Sequence, residues 1–156
     1  MSQTTDLQQA LAQVEAWKVA GKTIVFTNGC FDLLHPGHID YLEKAAACGD
    51  VLIIGLNDDA SIARLKGDSR PIKPLCDRMI MLAGLRAVDL VIPFCEDTPL
   101  NLITALMPDI LIKGGDYTAD DIVGATEVRE AGGEVRVIPF VAGYSSSELI
   151  QRIKDS

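Results

Sequence analysis

The 156-residue sequence lacks the features that mark disulfide-rich and membrane-spanning proteins. Its four cysteines lie far apart, with no C-x-x-C pair and none of the density of a disulfide framework. No apolar run reaches the roughly 18 residues that a spanning helix needs, and the N-terminus is polar rather than signal-like. We therefore expect a cytoplasmic protein with reduced cysteines and no membrane partner.

Positive charge is also scarce. The chain has 14 Lys and Arg against 22 Asp and Glu, which gives a net charge of −8 and a pI near 4.6. Because the basic residues are scattered, we expect no nucleic-acid partner. An anionic substrate must meet a local site with its own positive potential, since the field of the whole protein would repel it.

The apolar residues, 48% of the chain, alternate between strand-like runs and helical spacing. The runs predict five strands, at 24–26, 51–56, 90–94, 110–112 and 134–138. Helical patterns cover 7–21, 39–48, 59–65, 75–87, 99–107, 119–131 and the segment from 145 onward. Nearly all-apolar strands separated by helices indicate an α/β fold. We expect a single Rossmann-like domain over residues 1–156, with a five-stranded parallel sheet, helices on both faces and the 1–21 helix packed on it.

The only two histidines, His35 and His38, lie where the first predicted strand turns into a helix. Backbone N–H groups and the positive end of a helix dipole converge at such a junction, which makes it a phosphate site. Imidazoles add donors that can be charged near neutral pH. We expect the pair to contact a polyanion. A metal site has less support, since compact ligands are not evident, and a Cys30–His35 nucleophile pair stays open by composition.

Polar residues follow three of the predicted strands, at 28–38, 57–59 and 113–116. Ligands of such folds bind beyond the carboxyl ends of the strands, near the point where strand order reverses. We therefore expect these three segments to gather along one edge of the sheet. Lys66 and Arg70 flank a glycine in a polar loop, which forms either a cationic lid over bound phosphates or a solvated loop.

The sequence leaves two interpretations open for each of three other features. Asp32 orients substrate or helps hold Mg²⁺, or it caps the following turn. Arg78 contacts a phosphate, or it forms an ion pair on its own helix. The run of three serines from Ser145 caps the last helix, with capping-box spacing to Glu148, and its hydroxyls also suit a triphosphate.

Several strings of the sequence together resemble the H-x-G-H nucleotidyltransferase superfamily. Asn28-Gly29-Cys30-Phe31-Asp32 followed by His35-Pro36-Gly37-His38 carries the superfamily pattern. The strings at 65–71, 96–99 and 113–117, with Asp77-Arg78, are similar to the adenylyltransferase domain of ADP-heptose synthesis. That resemblance extends over almost the whole chain. The run Gly143-Tyr144-Ser145 departs from it, because some relatives carry an Arg shortly before the hydroxyl residues and this chain has none.

The resemblance implies a reaction and a set of site residues. A phosphate oxygen of D-glycero-β-D-manno-heptose 1-phosphate attacks the α-phosphorus of ATP, which is bound with Mg²⁺, and expels pyrophosphate; no protein nucleophile is required. The implied catalytic residues are His35, His38 and Lys66. The implied nucleotide contacts are Asn28, Gly29, Cys30, Phe31, Gly37, Gly114, Asp116, Ser145, Ser146 and Ser147. The implied substrate contacts are Asp32, Arg70 and Arg78, and no residue is assigned as a metal ligand.

The resemblance also implies a homodimer, and a transferase that stands alone although its relatives are often fused to a sugar kinase. The sequence also leaves two other functions open. One is a sister cytidylyltransferase that uses CTP and glycerol 3-phosphate or another small phosphate ester. The other is a nucleotide-binding regulatory module without catalysis.

Overall fold

The computed structural model describes residues 3–4 and 6–156, so residues 1, 2 and 5 of the predicted domain lie outside the described part. Within it, the strands are β1 (Gln3–Thr4), β2 (Ile24–Gly29), β3 (Val51–Asn57), β4 (Leu90–Phe94), β5 (Ile110–Gly114) and β6 (Glu134–Ile138). The helices are α1 (Leu7–Val19), α2 (Pro36–Ala46), α3 (Asp59–Lys66), α4 (Leu75–Ala83), α5 (Leu100–Leu106), α6 (Ala125–Glu130) and α7 (Ser146–Asp155). A 3-10 turn covers Ala119–Asp121.

All the described strands belong to one parallel sheet with the order β1-β4-β3-β2-β5-β6. The five predicted strands are confirmed, and β1 adds a two-residue edge strand that is too short for any periodic pattern. From β2 the chain moves outward to β3 and β4, then returns to the other side of β2 for β5 and β6. Strand order therefore reverses between β2 and β5, which places a crevice at their carboxyl ends.

Two separate hydrophobic clusters cover the two faces of the sheet. On one face α1, α5 and α6 bury Val14, Ile103 and Val128 against the strands. On the other face α2 and α4 bury Leu42 and Leu82. The predicted arrangement of helices on both faces is confirmed, because alternate residues of each buried strand serve opposite clusters. Among the helices of the described residues, none combines the length and apolarity needed to cross a bilayer.

Aspartates tie the amino ends of neighbouring strands together. Asp50, Asp89 and Asp109 immediately precede β3, β4 and β5. Each carboxylate accepts from a backbone N–H at the start of an adjacent strand: Asp50 from Thr23 at 2.7 Å, Asp109 from Ile24 at 2.8 Å and Asp89 from Leu52 at 2.8 Å. Three negative charges are thereby held at the edge of the sheet opposite the crevice.

Several predicted helix boundaries are wrong. The helix expected over 39–48 begins earlier, at Pro36, since proline fits the first helical position where no N–H partner is needed. The helix expected to reach residue 87 ends at Ala83. Helix α5 begins at Leu100, so Pro99 and not Thr98 is its N-cap.

The helix predicted over 119–131 is interrupted. Gly124 stands between the 3-10 turn and α6 with φ +88°, a left-handed conformation that no continuous helix contains. A Cβ added to Gly124 would lie 2.9 Å from the Ile103 side chain, so close packing against α5 also requires glycine here. Packing between helices therefore decided a break that periodicity alone did not reveal.

Candidate active site

The turn from β2 to α2 is closed by a reciprocal pair of histidine hydrogen bonds. His35 is the N-cap of α2, and its Nδ1 accepts from the backbone N–H of His38 at 3.3 Å. In return, Nδ1 of His38 accepts from the backbone N–H of His35 at 3.3 Å. This is a capping box built from two imidazoles, whose rings stack with centroids 3.8 Å apart. With both Nδ1 atoms accepting, the hydrogen-bond geometry assigns the proton of each neutral ring to Nε2, which is left as a donor.

The surroundings of both imidazoles lower their pKa values. Burial lowers the pKa of His38 to about 4, and the positive potentials of His35 and Lys66 act in the same direction. Burial also lowers the pKa of His35. The sequence-based expectation of charge near neutral pH is therefore wrong for the fold without a ligand. A bound polyanion would raise both pKa values, since negative charge favours the protonated form.

Glycines and a strained phenylalanine fix the histidine pair in place. A Cβ on Gly37 would lie 3.0 Å from Cε1 and Nδ1 of His35, so the ring folds back over a position that only glycine leaves open. Phe31 has φ +46°, a conformation costing about 1–3 kcal/mol for a bulky residue, and its ring lies 5.3 Å from that of His38. A Cβ on Gly29 would come within 2.9 Å of the Phe31 ring. Gly29, Phe31 and Gly37 thus shape the turn, whatever they contact in a ligand.

The start of α7 packs against the start of α2. Ser146 Oγ donates to the Leu33 carbonyl oxygen at 2.8 Å, and the Tyr144 ring stacks on that of His35 with centroids 5.8 Å apart. Ser145 is the predicted N-cap, and its Oγ accepts from the Glu148 N–H at 3.4 Å. The positive ends of two helices therefore converge beside the histidines. The first-turn N–H groups of each helix have no intrahelical partner.

Asp32 is committed to contacts within the protein. Its side chain is fully buried, and it accepts from Arg70 Nε at 2.8 Å and from the backbone N–H groups of Ile72 and Lys73, each at 2.8 Å. Burial alone would raise the pKa of Asp32, but these hydrogen bonds lower it below its ordinary value. Both carboxylate oxygens therefore anchor the loop after α3, and the expected contact with substrate or Mg²⁺ stays a prediction.

Arg70 has one donor left over after binding Asp32. Its side chain is only 10% exposed, and its Nη2 is the one buried side-chain nitrogen or oxygen of the described residues without a hydrogen-bond partner. A buried donor without a partner costs about 1–3 kcal/mol, more when it is charged. Arg70 lines a cavity beside His38, so an anion bound there would satisfy this nitrogen.

Arg78 is a buried clamp, and its predicted phosphate contact is corrected. It is 1% exposed, and Nη1 donates to the carbonyl oxygens of Cys30 at 2.9 Å and Asn57 at 2.7 Å. Nε donates to the Lys73 carbonyl oxygen at 3.0 Å, and Nη2 donates to the Asp59 carboxylate at 2.7 Å. The ion pair therefore joins α4 to α3 rather than lying along one helix. Arg78 thereby links the residue after β2 to the last residue of β3.

Two cavities meet at the carboxyl ends of β2 and β5, which we call the large and the small cavity. The large cavity measures about 490 Å³ and the small cavity about 180 Å³. Both are lined by Asn28, Gly29, Cys30, Lys66 and Lys113. We call these five residues the shared wall. They come from the end of β2 and the residue after it, from the end of α3 and from the end of β5, and Asn57 at the end of β3 also lines the large cavity. The predicted gathering of the three post-strand segments at one edge of the sheet is therefore confirmed.

The two cavities take up most of the residues singled out by the sequence. The small cavity adds Phe31, Asp32, His38, Arg70, Gly114 and Ser146 to the shared wall. The structure leaves other candidates outside both linings: His35, Gly37, Arg78, Asp116, Ser145 and Ser147. Asp116 and Ser147 are exposed. The His35 backbone N–H donates to Nδ1 of His38, and Gly37 leaves room for the His35 ring.

Sequence reasoning missed several residues that line these cavities, among them Asn57, Lys113 and Phe140. Asn57 and Lys113 were noted only as polar residues after strands, and Phe140 was not singled out. A lysine within the otherwise apolar run of β5 was the available signal for Lys113. Phe140 gave none, because its ring reaches the site only through its contact with Gly114, where an added Cβ would lie 2.5 Å away.

Two chemical alternatives from the sequence gain no support from the geometry. The Cys30 thiol is directed to the Asn57 side-chain oxygen at 3.9 Å, and Nδ1 of His35 is occupied by the cap of α2, so no Cys30–His35 hydrogen bond forms. Within residues 3–4 and 6–156, no group of three or more His, Cys, Asp and Glu side chains is arranged to hold a metal ion.

The fold and the cationic crevice place the chain among α/β proteins that bind anionic ligands where strand order reverses. The sequence profile of the cytidylyltransferase-like family matches residues 26–152. The chain therefore belongs to the cytidylyltransferase-like family, and with it to the nucleotidyltransferases. The family expected from the motifs is confirmed.

Curated relatives and solved structures agree with this membership. "Bifunctional protein HldE" of Halorhodospira halophila is 55% identical over 144 residues, which cover 92% of this chain and 30% of that protein. The protein of the same name from Shewanella baltica is 54% identical over 140 residues, covering 90% of this chain and 29% of that protein. The chain thus spans about 30% of the length of these relatives.

Two solved structures share the fold. The lipopolysaccharide core biosynthesis protein of Thermoplasma volcanium has a TM-score of 0.62 and 29% identity, over 78% of this chain and 98% of that one. Pantoate-beta-alanine ligase of Francisella tularensis, solved with beta-gamma ATP and beta-alanine, also has a TM-score of 0.62. Its identity is 15%, over 100% of this chain and 79% of that one, so the likeness concerns the fold alone.

The two histidines can be titrated individually, because the chain contains no others. We expect His38 to stay neutral, with its proton on Nε2, down to about pH 4. Since the unfolded chain takes up this proton near pH 6.5, the His38 contribution to stability is complete above that pH and is lost as the pH falls from 6.5 towards 4. Imidazole ¹⁵N NMR between pH 8 and 4 measures both properties. A His38 midpoint near 6.5, or a proton on Nδ1, would contradict the capping geometry.

Removing the Arg78 guanidinium should destabilise the fold. Arg78→Met leaves buried carbonyl oxygens without a donor, and we expect a loss of about 3 kcal/mol in the free energy of unfolding. Arg86→Met is the matched control, since Arg86 is 95% exposed and its ion pair within the described residues is a 3.6 Å contact with Glu43. Its expected change is within about 0.5 kcal/mol. Urea denaturation measures both, and equal stability of the two variants would refute the clamp.

Proposed function

We propose that the chain transfers AMP from ATP to D-glycero-β-D-manno-heptose 1-phosphate, giving ADP-heptose and pyrophosphate. Family membership supports the nucleotidyl transfer. The motif resemblance supports the choice of ATP and of the heptose. The HldE relatives and the lipopolysaccharide core biosynthesis protein are consistent with a precursor of a surface glycan.

The observation that carries the proposal is the buried Nη2 of Arg70, a cationic donor without a partner that faces the small cavity. The ammonium group of Lys66 and the neutral Nε2–H donor of His38 line the same cavity. Asp32 is the one carboxylate of its lining and is already neutralised by Arg70. In a protein of net charge −8, such a site is built for an anion.

We place the triphosphate of ATP in the small cavity. The starts of α2 and α7 direct their first-turn N–H groups and positive dipole ends to this side. At the rim, the Phe140 ring is 64% exposed and meets the Tyr41 ring edge-on, with centroids 6.1 Å apart. The exposed Phe140 ring offers the nucleoside an apolar surface. Gly114 lets this ring pack directly on the end of β5, because an added Cβ would lie 2.5 Å from it.

The reaction then needs positioning and neutralisation of charge rather than a protein nucleophile. The sugar phosphate lies in the large cavity. Its phosphate oxygen approaches the α-phosphorus beside the residues that line both cavities. His38 donates Nε2–H to the α-phosphate oxygen as its negative charge develops. Lys66 is exposed at the mouth of both cavities and can pair with the departing pyrophosphate.

We propose Mg²⁺ as the divalent ion of this reaction, bound to ATP rather than to a cluster of protein ligands. The described side chains offer no such cluster, and the Asp32 carboxylate is occupied by Arg70, Ile72 and Lys73. The phosphate oxygens of ATP are then the ligands of the ion. A homodimer in the cytoplasm completes the proposal, and sedimentation analysis of the purified protein tests the dimer.

The substrate assignment is tested with a matrix of ATP, CTP, GTP and UTP against a panel of sugar 1-phosphates and glycerol 3-phosphate. We expect pyrophosphate release to be fastest with ATP and the heptose 1-phosphate, with ADP-heptose identified by mass. Preference for CTP and glycerol 3-phosphate would replace the proposal with the sister cytidylyltransferase. Nucleotide binding without pyrophosphate release from any pair would indicate a regulatory module.

Two replacements of His38 separate its cap from its catalytic donor. In His38→Asn the side-chain oxygen can still accept from the His35 N–H, but the Nε2–H donor is lost. We expect near-normal stability and a fall in kcat of about 10²–10³-fold. In His38→Gln the amide reaches the Nε2 position, so more activity and less stability should remain. Steady-state kinetics and urea denaturation measure both, and a fully active Asn variant would exclude His38 from catalysis.

A further inference from the structure

We propose that Lys113 binds the phosphate group of the acceptor, the sugar phosphate, at the wall shared by the two cavities. This inference rests on the proposed function and adds to it a contact for the second substrate. It concerns a residue to which neither the motif pattern nor the resemblance gave a role.

Lys113 occupies an unusual position for a lysine. It is the fourth residue of the buried strand β5, whose other residues are all buried, and it lies at the carboxyl end next to the strand-order reversal. Its side chain lines both the large and the small cavity. Burial lowers its pKa, as expected for an ammonium group drawn out of water.

The ammonium group of Lys113 has no carboxylate partner among the described residues. Its Nζ lies 5.7 Å from the centroid of the Tyr117 ring, and the Cys30 thiol acts on its pKa in the direction opposite to burial. The neighbouring arginines differ, since Arg70 pairs with Asp32 and Arg78 pairs with Asp59. A partly buried cation without a counter-ion is unfavourable, so an anionic ligand would stabilise this arrangement.

The charge distribution favours the acceptor over the nucleotide as the ligand of Lys113. The small cavity has His38 and Arg70 in addition to the shared wall, and two helix ends serve it as well. In the large cavity the cationic lining residues are Lys66 and Lys113 alone. Lys66 is exposed, whereas Lys113 is partly buried, so Lys113 is the cation placed to hold a phosphate inside the large cavity.

The rest of the large cavity suits the remainder of a sugar phosphate. Its lining includes the side chains of Asn57 and Tyr117, which can bond hydroxyl groups. It also includes the carboxylates of Asp97 and Asp121, which accept from Arg64 and Thr118 and keep further lone pairs for a ligand. Because Lys113 also faces the small cavity, a phosphate on its ammonium group would lie next to the triphosphate. That is the placement that in-line attack on the α-phosphorus requires.

The test compares Lys113→Met and Lys113→Arg with the control Lys44→Met. Lys44 is 54% exposed on α2 and pairs with Asp40 at 2.7 Å, away from both cavities. For Lys113→Met we expect KM for the sugar 1-phosphate to rise about 10- to 100-fold, because a charge-assisted hydrogen bond contributes about that factor to affinity. We expect KM for ATP to change less than about threefold. Lys113→Arg should recover part of the loss, and Lys44→Met should match the wild type. Equal effects on both substrates, or no effect, would overturn the inference.

Isothermal titration separates this inference from the proposed function. Wild-type protein holding a non-hydrolysable ATP analogue is titrated with the heptose 1-phosphate and, in a second arm, with glycerol 3-phosphate. Binding that Lys113→Met weakens supports the inference even if no turnover occurs, in which case only the proposed function fails. If neither the heptose 1-phosphate nor glycerol 3-phosphate binds to the wild-type protein, that result alone overturns the inference. Thermal unfolding of each variant confirms that a lost affinity does not reflect a lost fold.

Discussion

The candidate site depends on one buried cation, the guanidinium of Arg78. It joins the carbonyl oxygens of Cys30 and Asn57, just beyond β2 and at the end of β3, to the Lys73 carbonyl oxygen. Parallel strands bring their carboxyl ends to one edge but leave the loops beyond them without ladder partners. Arg78 supplies those partners from α4, and the neighbouring pair of Asp32 and Arg70 anchors the loop after α3 in the same way. The cavities take their shape from these internal bonds.

Charge is segregated along the sheet, which reconciles an acidic protein with an anion site. Asp50, Asp89 and Asp109 hold negative charge at the amino ends of the strands. The cations of the two cavities and the positive ends of two helices lie at the carboxyl ends. Because Coulomb interactions weaken with distance and with screening by salt, a local cluster outweighs the net charge of the chain at the site.

The histidine pair shows how local backbone geometry sets chemistry. Each ring receives a backbone N–H on Nδ1, which orders the turn and leaves Nε2–H directed away from it. A neutral donor in a water-poor site needs no counter-ion before the ligand arrives. It strengthens as negative charge grows on its acceptor, which is the behaviour required for a developing oxyanion. The same two hydrogen bonds thus order the turn and leave the Nε2–H donor that the proposed reaction uses.

The amino-acid sequence was enough to predict the α/β class, the five main strands, the position of the histidine turn and the family. These follow from local pattern, since periodicity, capping and motif spacing are written into neighbouring residues. The pairing of the charged residues, in contrast, depends on tertiary contacts. Asp32 and Arg78 turned inward to satisfy backbone groups from segments distant in sequence, whereas Lys113, in an apolar strand, was left without a carboxylate partner. Such pairing depends on which chain segments meet at the sheet edge, and no local pattern records that.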